Sequence, residues 1–367
     1  DTDGRLLTSV NHEFPQIFPR PGWVEHDPES IWQSVLKGLA TVFSDKEYKV
    51  SQVAAIGITN QRETAVLWDS QTGEAVHNAI VWQCRRTTDV CEALKVAGHE
   101  ALIKAKSGLV LDPYFSATKF KWLLDNAPNA GALLAEGRLL AGTIDTYLMW
   151  RLSAGNVHKT DVSNASRTSL MSLETLNWDD ELLDIFGVPC DILPEICPSS
   201  GRFAVTTDVP GLADGLPVSG VAGDQQSALF GQACFERGDV KCTFGTGSFI
   251  LMNAGNNPIT SDSGLLSTVA WQLEGQDAVY ALEGGAFVCG AAVQWLRDQL
   301  GIIDKAADLE ELAESVESAG GVEFVPALAG LGAPYWAPEA RGMLTGLTRG
   351  SGKGEIVRAT LDAMALQ

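Results

Sequence analysis

Positive charge is scarce in this sequence. The chain has 26 lysine and arginine residues against 46 aspartate and glutamate residues, which gives a formal net charge of −20 at pH 7. Nucleic acids and anionic membrane surfaces repel a protein of this charge, so neither is expected as a partner. An anionic ligand would therefore need local donors, such as backbone amides or a metal ion.

Long hydrophobic runs and paired cysteines are also missing. The sequence contains no run of about 18 apolar residues that could span a bilayer and shows no signal-peptide pattern, so we expect no membrane insertion and a cytoplasmic location. Its seven cysteines are scattered and include no C-x-x-C. This spacing argues against a disulfide framework and a structural zinc site, and it assigns no metal ligands.

What is present is a globular composition with alternating strand and helix patterns. With 367 residues, 45% of them hydrophobic and 20% charged, the chain is long enough for two domains. Short apolar strands such as 53–58 alternate with amphipathic helices such as the one that begins at residue 27, which predicts an α/β fold. We further expect a strand within residues 1–14, a loop over 191–214 and a helix over 286–300.

The segment 216–231 has the pattern of a buried strand, a glycine turn, one acidic residue and an amphipathic helix. Asp224 stands at the turn, just past the carboxyl end of the strand, where open α/β sheets bind ligands. A carboxylate there could accept a proton from a substrate, but the local pattern alone favours an ordinary helix N-cap. We place a domain boundary after residue 230, so that residues 1–230 and 231–367 form two units that meet at this crevice.

A tight glycine hairpin is predicted at Gly245, Thr246 and Gly247, between two strand patterns. Its backbone amides could hold phosphate oxygens, although a bare hairpin turn explains the glycines as well. The helix near Gly290 offers a second place where the backbone could approach a nucleotide, or simply close packing of helix on strand.

Polar and aromatic side chains elsewhere in the chain are further binding candidates. Arg62 and Glu63 follow the strand 53–58. They are either a solvated surface ion pair or, in a cleft, donors and an acceptor for neighbouring hydroxyls of a small polyol. Three aromatic side chains could wall the carbon skeleton of such a ligand or belong to the core: Trp82, Tyr114 and Phe249.

Nine segments of the chain resemble the FGGY carbohydrate kinases, within the superfamily of actin, hexokinase and Hsp70-type ATPases. TNQRET (59–64) and WQCRR (82–86) are similar to the glycerol-phosphorylating members of that family in particular. The nine segments, which together extend over nearly the whole chain, are PGWVEHDPESIW (21–32), GITNQRET (57–64), NAIVWQCRRT (78–87), DPYFSATKFKWLLDN (112–126), NASRTSL (164–170), GVAGDQQSALFGQ (220–232), FGTGSFILMN (244–253), YALEGGAF (280–287) and LGAPYWAPEARGMLTGLTRG (331–350).

This resemblance implies a two-domain, actin-like (ribonuclease H-like) α/β fold with a glycerol-binding domain over 1–230, a nucleotide-binding domain over 231–367 and a cleft between them. It implies phosphorylation of glycerol to sn-glycerol 3-phosphate by ATP with Mg²⁺, with Asp224 as the general base. The glycerol contacts that it implies are Arg62, Glu63, Trp82, Tyr114, Asp224, Gln225 and Phe249. The nucleotide contacts that it implies are Gly245, Thr246, Gly247, Gly290 and Gln294.

The chain departs from the family pattern in two ways. The family begins with a phosphate-binding hairpin and continues past the position of Gln367, so we expect this chain to be an internal piece of the enzyme with little activity alone. The loop 209–217 lacks the arginine with which some members bind fructose 1,6-bisphosphate, so inhibition by that effector is not expected. A homo-oligomer, either a dimer or a tetramer, is expected.

Two other functions stay open at this point. The chain could phosphorylate another polyol or sugar, which a substrate panel would separate from glycerol. It could instead be a non-catalytic actin-like module, whose nucleotide binding would be indifferent to Asp224→Asn. The kinase hypothesis predicts that the same change removes turnover.

Overall fold

The computed structural model describes residues 1, 3–44 and 48–367. The strands are β1 (Glu25–His26), β2 (Ile56–Asn60), β3 (Val66–Asp69), β4 (Ala79–Ile80), β5 (Leu139–Gly142), β6 (Lys159–Asp161), β7 (Glu195–Cys197), β8 (Ser200–Val205), β9 (Pro217–Gly223), β10 (Val240–Phe244), β11 (Ser248–Gly255), β12 (Leu266–Gln272), β13 (Ala278–Ala286), β14 (Glu323–Val325) and β15 (Met343–Thr345). The helices are α1 (Pro28–Ser44), α2 (Thr88–Val96), α3 (Glu100–Ser107), α4 (Ser116–Asn126), α5 (Ala130–Ala135), α6 (Ile144–Leu152), α7 (Val162–Ala165), α8 (Asp180–Phe186), α9 (Asp224–Gly231), α10 (Gly290–Asp298), α11 (Asp308–Glu314) and α12 (Lys353–Leu366), with 3₁₀ turns at Val50–Gln52 and Cys190–Ile192.

Two parallel strands position the first half of the site. In the sheet of order β2-β9-β8, β2 lies parallel to β9, and the register pairs Asn60 with Gly223 at their carboxyl ends. Because the carboxyl ends of neighbouring parallel strands open on the same edge of a sheet, the residues that follow these ends lie close together. Those residues include Arg62 and Asp224.

An antiparallel sheet of order β10-β11-β13-β12 forms the second half of the site. The strands β10 and β11 are joined by the glycine hairpin, and Phe244 pairs with Ser248 across it. The strand β13 pairs with both β11 and β12, so that Glu283 in its middle lies opposite Leu251 and Leu266. Glu283 is therefore a carboxylate held in the interior of a sheet, 1% exposed.

The two halves of the chain share a hydrophobic core at the place where these sheets meet. One cluster of buried side chains combines Leu109, Tyr114 and Phe115 with Phe249 and Leu251. Burial of apolar surface at about 25 cal/mol per Å² stabilises such a contact, and it also fixes the aromatic rings beside the crevice. Among the described residues, no helix is both long enough and apolar enough to cross a membrane.

Two predictions about secondary structure are wrong, and one predicted helix forms but begins later than expected. Among residues 1 and 3–14 no strand forms, while Thr2 lies outside the described residues. The predicted loop 191–214 contains β7 and β8, because Phe203 and Ala204 bury against the core and tertiary packing outweighs a turn-rich composition. The helix predicted over 286–300 begins only at Gly290, because β13 stays paired with β11 as far as Ala286.

Backbone packing beside the antiparallel pair β14–β15 gives a test of the fold. Gly346 has φ +74°, and a Cβ there would lie 1.8 Å from the carbonyl oxygen of Gly321. Gly211 has φ +85° and open space around it. Alanine at either position strains the backbone by roughly 1 kcal/mol, but only Gly346→Ala adds a clash. We expect the Tm to fall several degrees further for Gly346→Ala than for Gly211→Ala, and equal losses would contradict this packing.

Candidate functional site

Asp224 begins helix α9 directly after β9, at the edge where the parallel strands end. The N-cap position belongs to Gly223, so the expectation that Asp224 is an ordinary N-cap is wrong. Its Oδ1 accepts a hydrogen bond from the backbone N–H of Gln225, at 2.8 Å. The side chain of Asp224 is 46% exposed. A carboxylate with this much free surface at a strand edge can still accept a proton from a ligand.

Beside Asp224 lies a buried cluster of four charged side chains, which we call the ion cluster: Arg62, Glu63, Arg167 and Glu283. Arg62 donates from Nη1 and Nη2 to the two oxygens of Glu283, at 2.5 and 2.9 Å. Arg167 donates from Nε to Glu63, at 2.6 Å, and from Nη2 to Glu283, at 3.0 Å. The charges balance, which such deep burial requires.

Electrostatics within the ion cluster favour charged Glu283. Burial by itself raises the pKa of Glu283, but Arg167 and Arg62 outweigh it and lower this pKa to about 2. Burial also raises the pKa of Glu63, and there Arg62 and Arg167 offset it only in part. Glu283 is therefore the principal anion that holds both guanidinium groups, and it comes from the other half of the chain.

The donors of the Arg62 guanidinium group face other protein side chains, whereas a pair of donors for polyol hydroxyls would have to face the ligand. Both of its Nη atoms are engaged with Glu283, and they also reach Tyr114 Oη at 3.2 Å and Gln226 Oε1 at 3.3 Å. Its Nε lies 3.4 Å from Asp224 Oδ1. Arg62 thus supplies positive charge to Asp224 through one nitrogen, while the remaining donors fix its own position.

The predicted aromatic residues come together on one side of the ion cluster. The ring centroid of Trp82 lies 5.7 Å from that of Tyr114 and 6.0 Å from that of Phe249, both in edge-to-face geometry. Burial raises the pKa of Tyr114, so its hydroxyl keeps its proton and remains available as a donor. Tyr114 and Phe249 are core residues, as one of the two explanations predicts, and contact with a ligand stays a prediction.

The glycine hairpin and helix α10 pack tightly against each other. The amides of Cys289 and Ala291 donate to the carbonyl of Thr246, and the amide of Gly290 donates to that of Gly245, at 2.8 to 3.0 Å. A Cβ on Gly290 would lie 2.6 Å from the Gly245 oxygen. The hairpin thus caps the first amides of the helix, and its own outer face, with Gly245 and Thr246, is exposed.

The remaining candidate residues lie on either side of this hairpin. Gln294 is exposed one turn along α10 from Gly290, on the same face of the helix. Gln225 is buried next to Asp224 and faces strand β10. The predicted polyol contacts therefore come from both halves of the chain, and the predicted nucleotide contacts lie on the hairpin and on α10 of the second half.

Sequence reasoning missed Arg167 and Glu283 as members of the site. Both residues stand in segments that carried the family resemblance, but neither received a role. A usable signal was present, because Glu283 is the single charge in the apolar strand from Tyr280 to Ala286. A charge in a buried strand requires a partner of opposite sign, which a search along the chain could have sought.

The ion cluster predicts a large and pH-dependent effect of Glu283→Gln. Removing one carboxylate leaves two buried guanidinium groups with too little compensating charge, which costs about 3–5 kcal/mol at pH 7. The folded-state pKa of Glu283 lies below its ordinary value, so its contribution is complete above about pH 5 and is lost as the pH falls towards 2. Unfolding midpoints of the parent protein and of Glu283→Gln, measured at pH 7 and at pH 3, test this. The difference between the two proteins should be smaller at pH 3.

The matched control for this experiment is Glu310→Gln, which changes an exposed carboxylate of α11. We expect it to leave the Tm within about a degree of the parent, as surface changes usually do. A Glu283→Gln protein as stable as the Glu310→Gln protein at pH 7 would contradict the charge balance of the cluster.

Comparison with known proteins identifies the family. The N-terminal domain pattern of the FGGY family of carbohydrate kinases matches residues 1–231, and the C-terminal domain pattern matches residues 240–367. A glycerol kinase from Bdellovibrio bacteriovorus is 61% identical over 99% of this chain and 74% of its own length. A glycerol kinase from Symbiobacterium thermophilum is 55% identical over 100% of this chain and 73% of its own length.

Solved structures agree with the predicted fold class. The crystal structure of Plasmodium falciparum glycerol kinase with ADP superposes with a TM-score of 0.86 at 38% identity, covering 98% of this chain and 72% of that one. A gluconate kinase from Lactobacillus acidophilus shares the fold, with a TM-score of 0.84 at 24% identity over 99% of this chain and 72% of that one. The predicted two-domain actin-like α/β fold is confirmed, and the chain belongs to the FGGY family of carbohydrate kinases.

Proposed function

We propose that this protein phosphorylates glycerol to sn-glycerol 3-phosphate with ATP, and that Asp224 is the general base. The observation that carries the mechanism is the half-exposed Asp224 carboxylate at the carboxyl ends of two parallel strands, beside Arg62 and Gln225. Relatives that are 52% to 61% identical over nearly the whole chain are named glycerol kinases, which supports the choice of substrate.

In the proposed reaction Asp224 accepts the proton of one glycerol hydroxyl. As that proton leaves, the hydroxyl oxygen forms a bond to the γ-phosphorus of ATP, and the bond from phosphorus to the ADP oxygen breaks. Arg62 Nε, 3.4 Å from Asp224 Oδ1, helps to hold the carboxylate in place before the transfer. Positioning and electrostatic stabilisation supply most of the rate acceleration in phosphoryl transfer.

The glycine hairpin is the part of the chain that best fits the phosphates. Gly245 and Thr246 are exposed there. Gly247 is buried, and a Cβ on it would lie 2.6 Å from the carbonyl oxygen of Ala286. Backbone donors in such a turn hold phosphate oxygens even in an acidic protein. We place the rest of the nucleotide along α10, with contacts at Gly290 and Gln294.

The chain also fits Mg²⁺ in the manner usual for kinases. Within the described residues, no group of three histidine, cysteine, aspartate or glutamate side chains could hold a metal ion. Mg²⁺ does not need such a group, since it keeps several waters and takes one or two carboxylates together with substrate phosphates. The exposed Asp224 oxygen is the carboxylate that could serve it, and the bound ion would neutralise phosphate charge.

The names of the relatives favour glycerol over a larger sugar as the substrate. Trp82 packs edge-to-face on Tyr114 and on Phe249, with ring centroids 5.7 and 6.0 Å apart, and this apolar surface suits a short carbon chain. A substrate panel of glycerol, xylulose and gluconate tests this against phosphorylation of another sugar. The homo-oligomeric state and the cytoplasmic location expected from the sequence stay predictions.

Asp224→Asn tests the general base. The amide keeps the size of the side chain but cannot accept the proton, so we expect kcat to fall about 10²–10⁴-fold with glycerol and ATP affinities changed only a few-fold. A coupled assay of ADP release by the purified protein measures this, with Asp191→Asn at an exposed position as the control. Turnover within threefold of the parent would exclude Asp224 as the base.

Two glycines of β9 test the role of the Arg62 position. A Cβ on Gly223 would lie 2.7 Å from both Cγ and Cδ of Arg62, whereas a Cβ on Gly220 would meet nothing within 4 Å. We expect Gly223→Ala to displace Arg62 and to weaken kcat/KM for glycerol at least tenfold, while Gly220→Ala stays near the parent. Equal values for the two variants, measured in the same assay, would show that the Arg62 position is unimportant.

A further inference from the structure

Lys241 is a buried cation that the site as described so far does not use. It lies on β10 opposite Leu251 of β11, and its side chain is 1% exposed. Burying an ammonium group is costly unless its donors are satisfied. Its neighbours therefore indicate what the lysine does.

Three oxygen atoms surround the ammonium group of Lys241. It donates to Gln225 Oε1, to Thr243 Oγ1 at 3.0 Å and to the carbonyl of Phe249 at 3.3 Å. Gln225 and Phe249 are both predicted glycerol contacts. Gln225 belongs to α9 in the first half of the chain, and Lys241 belongs to the second half, so this contact joins the two sides of the crevice.

The contact decides how the Gln225 amide is turned. An ammonium group has donors only, so the carbonyl oxygen of Gln225 must face Lys241. The amide nitrogen then points the other way, where it lies 3.4 Å from Asp224 Oδ2. With the amide turned over, a carbonyl oxygen would face the carboxylate, and the two would repel each other.

We propose that Lys241 is a positioning residue for the proposed reaction: it fixes the Gln225 amide so that its N–H groups face Asp224 and the substrate. The inference rests on the proposed function only for the identity of the substrate. The role assigned to Lys241 concerns the geometry of Gln225 and Asp224, whichever polyol binds there.

The charges around Lys241 make its protonation sensitive to pH. Burial is the largest effect on the pKa of Lys241, and the net result lowers this pKa to about 8. Arg62 also lowers the pKa of Lys241, whereas Glu283, Asp224 and Cys242 raise it. A neutral amine would still touch Gln225 but would hold the amide less firmly. The orientation of Gln225 is therefore expected to weaken as the pH rises through about 8.

A double-mutant cycle tests the role directly. We expect Lys241→Met to lower kcat for glycerol about 10–100-fold, with the KM for ATP nearly unchanged, because the residue acts through Gln225. In a Gln225→Leu background the same lysine change should cost less than threefold. The same factor in both backgrounds would overturn the proposal. Lys104→Met, which removes a contact to the Ser261 carbonyl across the two halves, is the control.

A pH profile tests the proposal without changing the lysine, in case Lys241→Met fails to fold. Wild-type kcat should decline above about pH 8, and Gln225→Leu should lose that decline because the amide that Lys241 fixes is gone. An unchanged alkaline decline in Gln225→Leu would contradict the proposal.

The crystal structure of Lys241→Met separates this proposal from the proposed function. We expect the Gln225 amide to leave its present orientation, so that its nitrogen no longer faces Asp224. An unmoved Gln225 would overturn the positioning role. Failure of the wild-type protein to phosphorylate glycerol would overturn the proposed function and leave the Gln225 result to stand by itself.

Discussion

The paired hydrogen bonds between Arg62 and Glu283 are the interaction on which the site depends. They join the end of a parallel strand in the first half of the chain to the middle of an antiparallel sheet in the second half. Removing either charge would leave the ion cluster with an uncompensated buried charge. The same contact holds Arg62 Nε beside Asp224, so the pairing that keeps the two halves together also sets the surroundings of the proposed base.

This arrangement explains why the Asp224 carboxylate is half exposed while the four charged side chains of the ion cluster are buried. Glu63 and Glu283 are engaged by guanidinium groups in the interior, whereas Asp224 stands half exposed at the start of a helix. Burial and pairing fix the interior carboxylates in structural positions, whereas the Asp224 carboxylate stays accessible to a ligand. The difference in exposure is why Asp224, and not Glu63 or Glu283, is the proposed base.

Much of this could be predicted from the sequence, and the remainder depended on distant contacts. The strand, turn and helix around Asp224 were visible locally, as was the hairpin at Gly245–Gly247, since both have strong local patterns. The ion cluster was not visible, because Glu283 meets Arg62 across 221 positions of sequence. For the same reason the turn-rich composition of residues 191–214 predicts a loop where β8 forms, because burial of β8 against the core is a tertiary effect that composition does not show.

The central claim is that Asp224 receives the proton of a glycerol hydroxyl at this crevice. The most direct measurement is a crystal structure of the protein with glycerol and a non-hydrolysable ATP analogue. The account predicts a glycerol hydroxyl within about 2.6–3.2 Å of an Asp224 oxygen, between that carboxylate and the γ-phosphate. Glycerol bound with no hydroxyl in reach of Asp224 would contradict it.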